Sequence, residues 1–478
     1  MLGTRLKQLA GQSAIYGLGG IVSRLLAVFL LPIYTRFLTP DDLGAVGVVV
    51  ALTAILVTIL RGGISSAFFR FYFDSPEPAR RRTVLRTSFW FTMGSATLGL
   101  AVGVAFAGPI GELLGLDDPW LVRAAFVGLW AQMNYEQLTA LFRVEQRPWA
   151  FLAASLANIA VTVAATVLFV VVLEWGAVGV VAGNFTGTLA VYVSLLGYRR
   201  EQLGLELDRP LLRAMQRFGL PLVPSALALI AVNFSDRFFL VHLASLDEVG
   251  LYEIGARIAS AMVLLLTAFR TAWPAFAYSI EDDDEARGTY AYVLTYLVAV
   301  ATWLAVALGL LAPWLVRLLA TADFYAGERV VAPLALASAI FAGYVVVAIG
   351  VGRARRTEFN WVITGAAAVL NVALNLVLIP RYGMEGAAAA TVAAYALLFV
   401  GMAWWGQRVY PVPYQWRRVA TALAAGTALV VAGKALDAPL AVAALLAAVY
   451  PLALLPLGFY LPGERARLRT LARLGTSS

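Results

Sequence analysis

Apolar runs about as long as a bilayer is thick recur along this chain, each closed by a polar break that usually carries arginine. A helix crossing the hydrocarbon core needs roughly 20 consecutive apolar residues. Runs of that order lie near 12–35, 43–60, 87–107, 120–142, 149–173, 177–197, 219–241, 249–274, 290–312, 331–352, 359–379, 384–405, 419–434 and 438–460. Inside lipid every backbone N–H and C=O must be paired within the protein, which leaves helices or closed barrels. Barrel strands are only about 9–11 residues long. The expectation is therefore an all-α polytopic membrane protein with about fourteen transmembrane helices.

Composition narrows the function classes. Of 478 residues 61% are hydrophobic and 13% charged, and mean hydropathy is +0.81. A soluble domain is about 45–50% apolar and about 25% charged. A soluble enzyme and a disordered chain are excluded, and the absence of cysteine excludes a disulfide scaffold or a thiolate metal site. The single histidine, His242, cannot build a multi-histidine centre, so no metal or cofactor is expected. A net charge of +8 without a basic patch on a polar domain does not point to nucleic acid. Two basic residues precede the first run and no small-residue cleavage site follows it, so a retained first helix is expected rather than a signal peptide.

The charge has a side. Counting alternate breaks from a cytoplasmic N-terminus gives twenty-seven basic residues on the inner side and five on the outer, with Arg24, Arg123, Arg237 and Arg257 inside the runs. Cytoplasmic loops are enriched in Lys and Arg, so both termini are expected in the cytoplasm. Arg209, Arg213 and Arg217 are spaced by four, as are Arg465, Arg469 and Arg473. Each trio marks one face of a helix with leucines between, a pattern suited to anionic lipid; for the second trio a solvated tail is the equal alternative.

Two short matches point to an internal duplication. Asp41-Asp42-Leu43-Gly44 recurs as Asp247-Glu248-Val249-Gly250, with Thr39 echoed by Ser245, at an offset of 206. Trp175-Gly176-Ala177-Val178-Gly179 recurs as Tyr382-Gly383-Met384-Glu385-Gly386 at an offset of 207. The expected organisation is a six-helix half over 1–200, a second over 201–408, and two additional helices with a basic tail over 409–478. Six is even, so the halves share an orientation and are expected to be related by a pseudo-twofold along the membrane normal. That is a transporter plan, with the substrate path between the repeats.

Ionisable residues inside spans are costly and usually face a cavity or a partner. Arg24 sits mid-span with no acid within a turn, which suits a cavity better than snorkelling. Asp236 and Arg237 near the end of the seventh run lie at a depth comparable to Glu253 and Arg257 in the eighth. Glu253 and Arg257 share a helix face, and Arg237 with Glu253, or Asp236 with Arg257, could pair across the hairpin. A structural ion-pair cluster and a charged gate that takes up protons both fit. Glu136 is a lone carboxylate in the fourth run, open to proton-linked function or a local hydrogen bond. Arg61 and Arg270 near inner ends suit either anchoring or substrate contact; Arg123 suits an anchor.

Other motifs carry less. Glu281-Asp282-Asp283-Asp284-Glu285 contains a DxD pattern but has no catalytic domain around it, so a solvated acidic turn is expected. The sequons at Asn184 and Asn233 fall inside spans. Gly99-xxx-Gly103 and Gly179-xxx-Gly183 fit close helix packing. No phosphate-binding loop or long outer loop appears, so an enzyme is not expected.

Four segments together resemble a known family. Tyr34-Thr35-Arg36-Phe37-Leu38-Thr39-Pro40 precedes Gly44, Ser235-Asp236-Arg237-Phe238 ends the seventh span, and Gly250-Leu251-Tyr252 opens the eighth. Ile379-Pro380-Arg381-Tyr382-Gly383, with Gly386 and Ala387, joins the eleventh and twelfth. In this order the chain resembles, over essentially its whole length, the polysaccharide or O-antigen flippases of the multidrug/oligosaccharidyl-lipid/polysaccharide (MOP) exporter superfamily. The resemblance implies a flippase moving undecaprenyl-diphosphate-linked oligosaccharide across the bacterial inner membrane, for capsule, exopolysaccharide or O-antigen. The lipid-linked oligosaccharide substrate and the polysaccharide polymerase machinery are the partners it implies, beside the anionic membrane lipids expected from the basic helix faces. The lipid II flippase is a relative in which arginines of the first, second and eighth spans line a cationic cavity. By position Arg24, Arg61 and Arg257 or Arg270 are the counterparts, which makes them the substrate-binding candidates. Glu136, Asp236, Arg237 and Glu253 are the gating or coupling candidates. A lipid II flippase or another small-molecule exporter of the superfamily is the alternative, though the acidic cation-site residue that drug exporters carry in the first span is missing here.

Overall fold

The computed structural model describes Val22 and residues 28–465. Arg24, most of the expected first span, and Arg467, Arg469 and Arg473 of the basic tail lie outside the described residues. No strand occurs among the described residues. The helices are α1 (Leu31–Phe37), α2 (Pro40–Arg61), α3 (Ile64–Phe73), α4 (Pro78–Ala105), α5 (Ala107–Leu113) and α6 (Pro119–Val144). Next come α7 (Pro148–Val167, prolonged by a π-turn over Leu168–Val172), α8 (Gly176–Leu203), α9 (Arg209–Gly219), α10 (Val223–Leu243), α11 (Leu246–Ala259) and α12 (Ala261–Ser279). The chain ends with α13 (Asp283–Leu319), α14 (Glu328–Arg353), α15 (Asn360–Val409), α16 (Trp416–Ala435) and α17 (Leu440–Ala453).

Local sequence explains where these helices start. α2, α4, α6 and α7 each place proline in the first turn, where the missing N–H has no intrahelical partner to lose and φ is already helical. At α2 Thr39 and Asp42 close a reciprocal capping box, satisfying N–H groups that lipid could not.

Among the described residues nine helical stretches are long and apolar enough to cross a membrane, and ten if the bent pair Leu246–Ala259 and Ala261–Thr267 is one span. The expected eleventh and twelfth spans are the two arms of α15, joined at Gly383, whose φ of 52° breaks the helix. α6 has span length at 26 residues but carries Arg123, Glu136 and Arg143 and is not among the nine. Within the expected span over 438–460, α17 is 14 residues long, or about 21 Å at 1.5 Å per residue. It contains Pro451 and is followed by turns.

The chain forms two compact units. The first runs to Ile254 and takes in Arg317–Gly327 and Thr364–Ala390. In it α4, α6, α7 and α8 pack together, and Phe68, Phe89, Leu141, Tyr192, Leu211 and Met215 share one core. Large rings sit on small residues: a Cβ at Gly103 would lie 2.0 Å from the Phe126 ring, and one at Gly128 would lie 1.8 Å from Phe185. The Gly99–Gly103 pattern is thus a packing surface. α9 is amphipathic as its arginine spacing requires, with Arg209, Arg213 and Arg217 exposed. Its apolar residues Leu211 and Met215 are buried on α3 in the protein core, not turned to lipid.

The second unit comprises Gly255–Val316, Glu328–Ile363 and the chain from Thr391 onward. Here α12 packs on α14 and α16 on α17. Val306, Leu310, Ala422, Tyr450 and Phe459 form a shared core. The Trp303 indole N–H donates to the Ala447 carbonyl at 2.7 Å, and the Tyr450 hydroxyl to Ala422 at 3.1 Å. α17, though short, is therefore fastened by its own polar contacts.

The duplication is visible in backbone chemistry. The Asp42 carboxylate accepts from the Ala177 N–H at 3.3 Å, and the Glu248 carboxylate accepts from the Met384 N–H at 2.6 Å. Each acid sits three residues after a capping hydroxyl, Thr39 or Ser245, that accepts its N–H. Each receiving turn carries a positive-φ glycine, Gly176 at 54° and Gly383 at 52°, a conformation nearly reserved for glycine. The two sequence matches are thus one device used twice: an acid capping a distant helix start.

Candidate functional site

Arg61 is the last residue of α2, where Gly62 turns the chain in the left-handed region. Its side chain reaches the flank of α6. One terminal nitrogen donates to Glu136 at 2.7 Å and the other to the Met133 carbonyl at 3.4 Å. Glu136 also accepts from Gln132, one turn earlier on α6, at 2.9 Å. The Arg61 side chain is 15% exposed and that of Glu136 is 38% exposed. The lone carboxylate expected at Glu136 is thereby corrected: it is half of an ion pair whose partner lies 75 residues away. An arginine held by one carboxylate and one carbonyl keeps donors to spare, since a guanidinium has five in a rigid fork.

A second cluster joins α10 to α11. Arg237 donates from Nε to Glu253 at 2.8 Å and from a terminal nitrogen to both oxygens of Asp236, at 2.7 and 2.9 Å. That nitrogen also reaches the Asn233 carbonyl at 3.0 Å. Tyr252 donates its hydroxyl to Asp236, and the guanidinium lies 4.8 Å from the Tyr252 ring centre. Gly47 of α2 makes room for this, since a Cβ there would lie 2.8 Å from the Glu253 side chain. Of the two pairings open from the sequence, Arg237 with Glu253 forms. Asp236 has Arg237 and Tyr252 as its partners. Nearby in this unit Ser235 donates to buried Asn371 at 2.9 Å, and Asn375 donates to the same oxygen at 3.2 Å.

The remaining candidates stand elsewhere. Arg257 is one turn beyond Glu253 on α11, and its carbonyl accepts from Ser260 at 2.5 Å. Arg270 on α12 is exposed, with its guanidinium 5.7 Å from the Phe341 ring centre. Arg24 lies outside the described residues. Arg123 stacks over Trp120 at 4.7 Å, in keeping with an anchor. The acidic segment 281–285 is more than a solvated turn: Asp282 caps the Glu285 N–H at 2.7 Å, and Asp283 pairs with Arg353 at 2.8 Å.

Three arginines that sidedness alone marks as inner-loop charge prove to be paired with carboxylates, two of them buried. Arg199 is 2% exposed and grips Glu145 with two nitrogens, at 2.5 and 2.8 Å. Arg418 is 6% exposed, pairs with Glu464 at 2.8 Å and lies over the Phe459 ring at 4.7 Å. Arg353, with a 16% exposed side chain, binds Asp283. A sequence signal exists for them, namely a carboxylate at a neighbouring break, but it does not select a partner.

Among the described residues no group of three or more His, Cys, Asp or Glu could hold a metal. The arrangement instead offers guanidinium groups in apolar helices, of which Arg61 and Arg237 are pre-paired with carboxylates, which is chemistry for anions.

Comparison with known proteins places the chain. No curated protein sequence matches it at a significant level. Its backbone is similar to the lipid II flippase MurJ in an inward closed conformation, with TM-score 0.75, 11% identity, and coverage of 92% of this chain and 98% of that one. It is also similar to an inward-facing multidrug resistance MATE family transporter of the MOP superfamily, with TM-score 0.69, 14% identity, and coverage of 86% and 95%. The outward-facing form of a MATE transporter matches at TM-score 0.60, 14% identity, and coverage of 87% and 96%. At these identities the likeness is one of fold: a polytopic helical membrane protein with the backbone plan of the MOP transporters. The model of the family described as "Polysaccharide biosynthesis protein" matches residues 33–327, more than half of the sequence. The chain is a member of that polysaccharide biosynthesis protein family.

Proposed function

We propose that the protein is a flippase moving undecaprenyl-diphosphate-linked oligosaccharide from the inner to the outer leaflet of the bacterial inner membrane, with both termini in the cytoplasm. Family membership supports the polysaccharide context, and the fold supports transport. The observation that carries the mechanism is the Arg61–Glu136 pair.

A diphosphate cannot enter hydrocarbon unaided, because burying an isolated charge costs on the order of tens of kcal/mol in the Born limit. Guanidinium forks match phosphate oxygens and replace part of the lost hydration. Arg61 is stored against Glu136 at 2.7 Å, so its charge is balanced while the site is empty. An incoming diphosphate then competes with Glu136 for the same fork. Arg24, Arg257 and Arg270 add positive charge along the path in this reading. Asp236, Arg237 and Glu253 act as the coupling cluster. The halves 1–200 and 201–408 rock about the substrate in alternating access, while 409–478 adds two helices and a tail. The lipid tail stays in the bilayer, and no bond is made or broken.

A lipid II flippase is the second reading, favoured by the backbone likeness to MurJ. Both are tested in one assay: purified protein in liposomes, offered undecaprenyl-diphosphate oligosaccharide or lipid II, with outer-leaflet appearance measured. Flipping of the oligosaccharide lipid, lost in Arg61→Gln, supports the first reading. Flipping of lipid II alone transfers the assignment to the second, and unimpaired flipping by Arg61→Gln removes Arg61 from the path.

A further inference from the structure

The second unit carries a charged cavity that the flippase mechanism does not use. It has a volume of about 630 Å³ and is lined by Asp283, Arg353, Arg356, Trp405, Arg408 and Tyr410 among others. That size lies in the range of ligand pockets. The walls are the C-terminal ends of α14 and α15 and the start of α13. Three guanidinium groups face one carboxylate, and the carboxylate is already spent: Asp283 accepts from Arg353 Nε at 2.8 Å and from the Tyr410 hydroxyl at 3.1 Å. Burial pushes the Tyr410 phenol up to about 12, so it remains a donor to Asp283. Two positive charges are left over, those of Arg356 and Arg408.

Both remaining arginines are presented by built structure. α14 ends with the Arg356 N–H on the Val351 carbonyl at 3.2 Å and the Arg355 N–H on Gly352 at 3.1 Å, the double bond of a Schellman turn. The residue in the left-handed position is Arg355, with φ 56°, where glycine is the low-cost choice. That turn puts Arg353 and Arg356, but not Arg355, in the cavity wall. The Arg356 carbonyl accepts from the Trp405 indole at 2.9 Å, and Trp405 meets Phe359 in a tilted contact at 4.4 Å between ring centres. The Arg408 guanidinium lies over the Trp404 ring, its carbon 4.0 Å from the ring centre, and makes no ion pair with any described residue. Arg356 is 67% exposed and has only a loose partner, Glu358 at 3.9 Å. Beside this charge the helices expose Trp361, Trp404 and Val400, at 66%, 50% and 62%. Aromatic residues of this kind settle at the boundary between headgroups and acyl chains.

We infer that this cavity is a binding site for the phosphate of an anionic phospholipid, with Arg356 and Arg408 as ligands and the acyl chains lying along Val400 and Trp361. A simple surface charge would attract lipid without a stoichiometry. A cavity in which Arg408 has no ion pair with a described residue and Arg356 only the loose one with Glu358, beside exposed aromatic residues, holds one headgroup.

The test is native mass spectrometry of the detergent-purified protein titrated with phosphatidylglycerol or phosphatidylcholine. The expected result is one tightly retained phosphatidylglycerol, weakened about thirtyfold in Arg356→Gln/Arg408→Gln, each arginine near a membrane surface being worth roughly a factor of five to six. Arg143→Gln/Arg200→Gln removes the same charge from exposed positions on α6 and α8 and is expected to leave that retention unchanged; its melting temperature and that of the site variant check folding. Equal losses in the two variants, or equal retention of phosphatidylcholine, overturn the site. Binding of soluble glycerol phosphate as tightly as the lipid overturns the assignment to a membrane lipid.

Discussion

Gly44 and Gly250 are reciprocal: a Cβ on Gly44 would lie 2.1 Å from the Leu246 carbonyl oxygen, and one on Gly250 would lie 2.0 Å from the Pro40 carbonyl oxygen. Both the glycine pair and the oxygen pair are separated by 206 residues. A contact in which i touches j and j's equivalent touches i's equivalent is the signature of a twofold axis. Here it relates the first turns of α2 and α11 within one chain.

This contact has no room for a methyl group. Gly44→Ala and Gly250→Ala are each expected to cost about 1–3 kcal/mol, the usual range for overpacking. Gly94→Ala is the control, since a Cβ there meets nothing within 4 Å. Thermal unfolding in one detergent separates the cases: a fall in melting temperature for the two reciprocal variants and none for the control.

The Arg61–Glu136 pair predicts a coupling energy. Arg61→Gln and Glu136→Gln each strand a partner, while the double variant strands neither, so the single losses should exceed what the double shows by about 0.5–3 kcal/mol. A denaturant double-mutant cycle measures it. A coupling of zero means that the 2.7 Å contact is not maintained in solution.

Removing one member of the α10–α11 cluster is expected to cost more than removing its neutral donor. Asp236 has a 2% exposed side chain, and Arg237 a 10% exposed one. Breaking a buried pair by deleting one charge typically costs about 3–5 kcal/mol. Asp236→Ala should fall in that range. Tyr252→Phe, which loses one hydrogen bond to the charge, should cost about 1.5–3 kcal/mol. The order of the two losses in chemical unfolding is the check.

What the sequence exposes depends on how far apart partners lie and on what hides them. Arg237 and Glu253 are legible because a single hairpin brings them to equal depth; the repeats at Asp42 and Gly176 are legible as a duplication, but nothing in them says that the two segments touch. Arg61 and Glu136 are not, because three intervening helices set their approach and neither residue's own helix face names the other. Counting arginines per loop places charge on a side of the membrane but cannot tell exposed Arg213 from Arg199, which is sealed under Phe142 at 4.8 Å. The eleventh and twelfth runs are legible because the break at Gly383 falls between them, whereas the fourteenth run does not show that its helix stops at Ala453.

Acid should act on the second unit through Glu464. Burial pushes this carboxyl's pKa up, but donors from Tyr292, the Leu461 N–H, Tyr296 and Arg418 outweigh that and hold it below the ordinary carboxylate range. A folded-state pKa below the unfolded one gives stability that is fully present above the unfolded value of about 4.3 and is lost as pH falls through the folded value. Protonation also leaves the buried Arg418 guanidinium with Gln415, at 2.5 Å, and the Tyr296 hydroxyl, at 3.3 Å, as its polar partners. Glu464→Gln imitates that state at neutral pH and should cost about 1–3 kcal/mol. The discriminating measurement is the melting temperature from pH 7 down to pH 3. The native protein should lose stability steeply below about pH 4.3, and the variant should start lower and lose less over the same interval. Parallel curves would mean that other carboxylates, such as Glu206 held down by Arg86 and Thr83, carry the acid response instead.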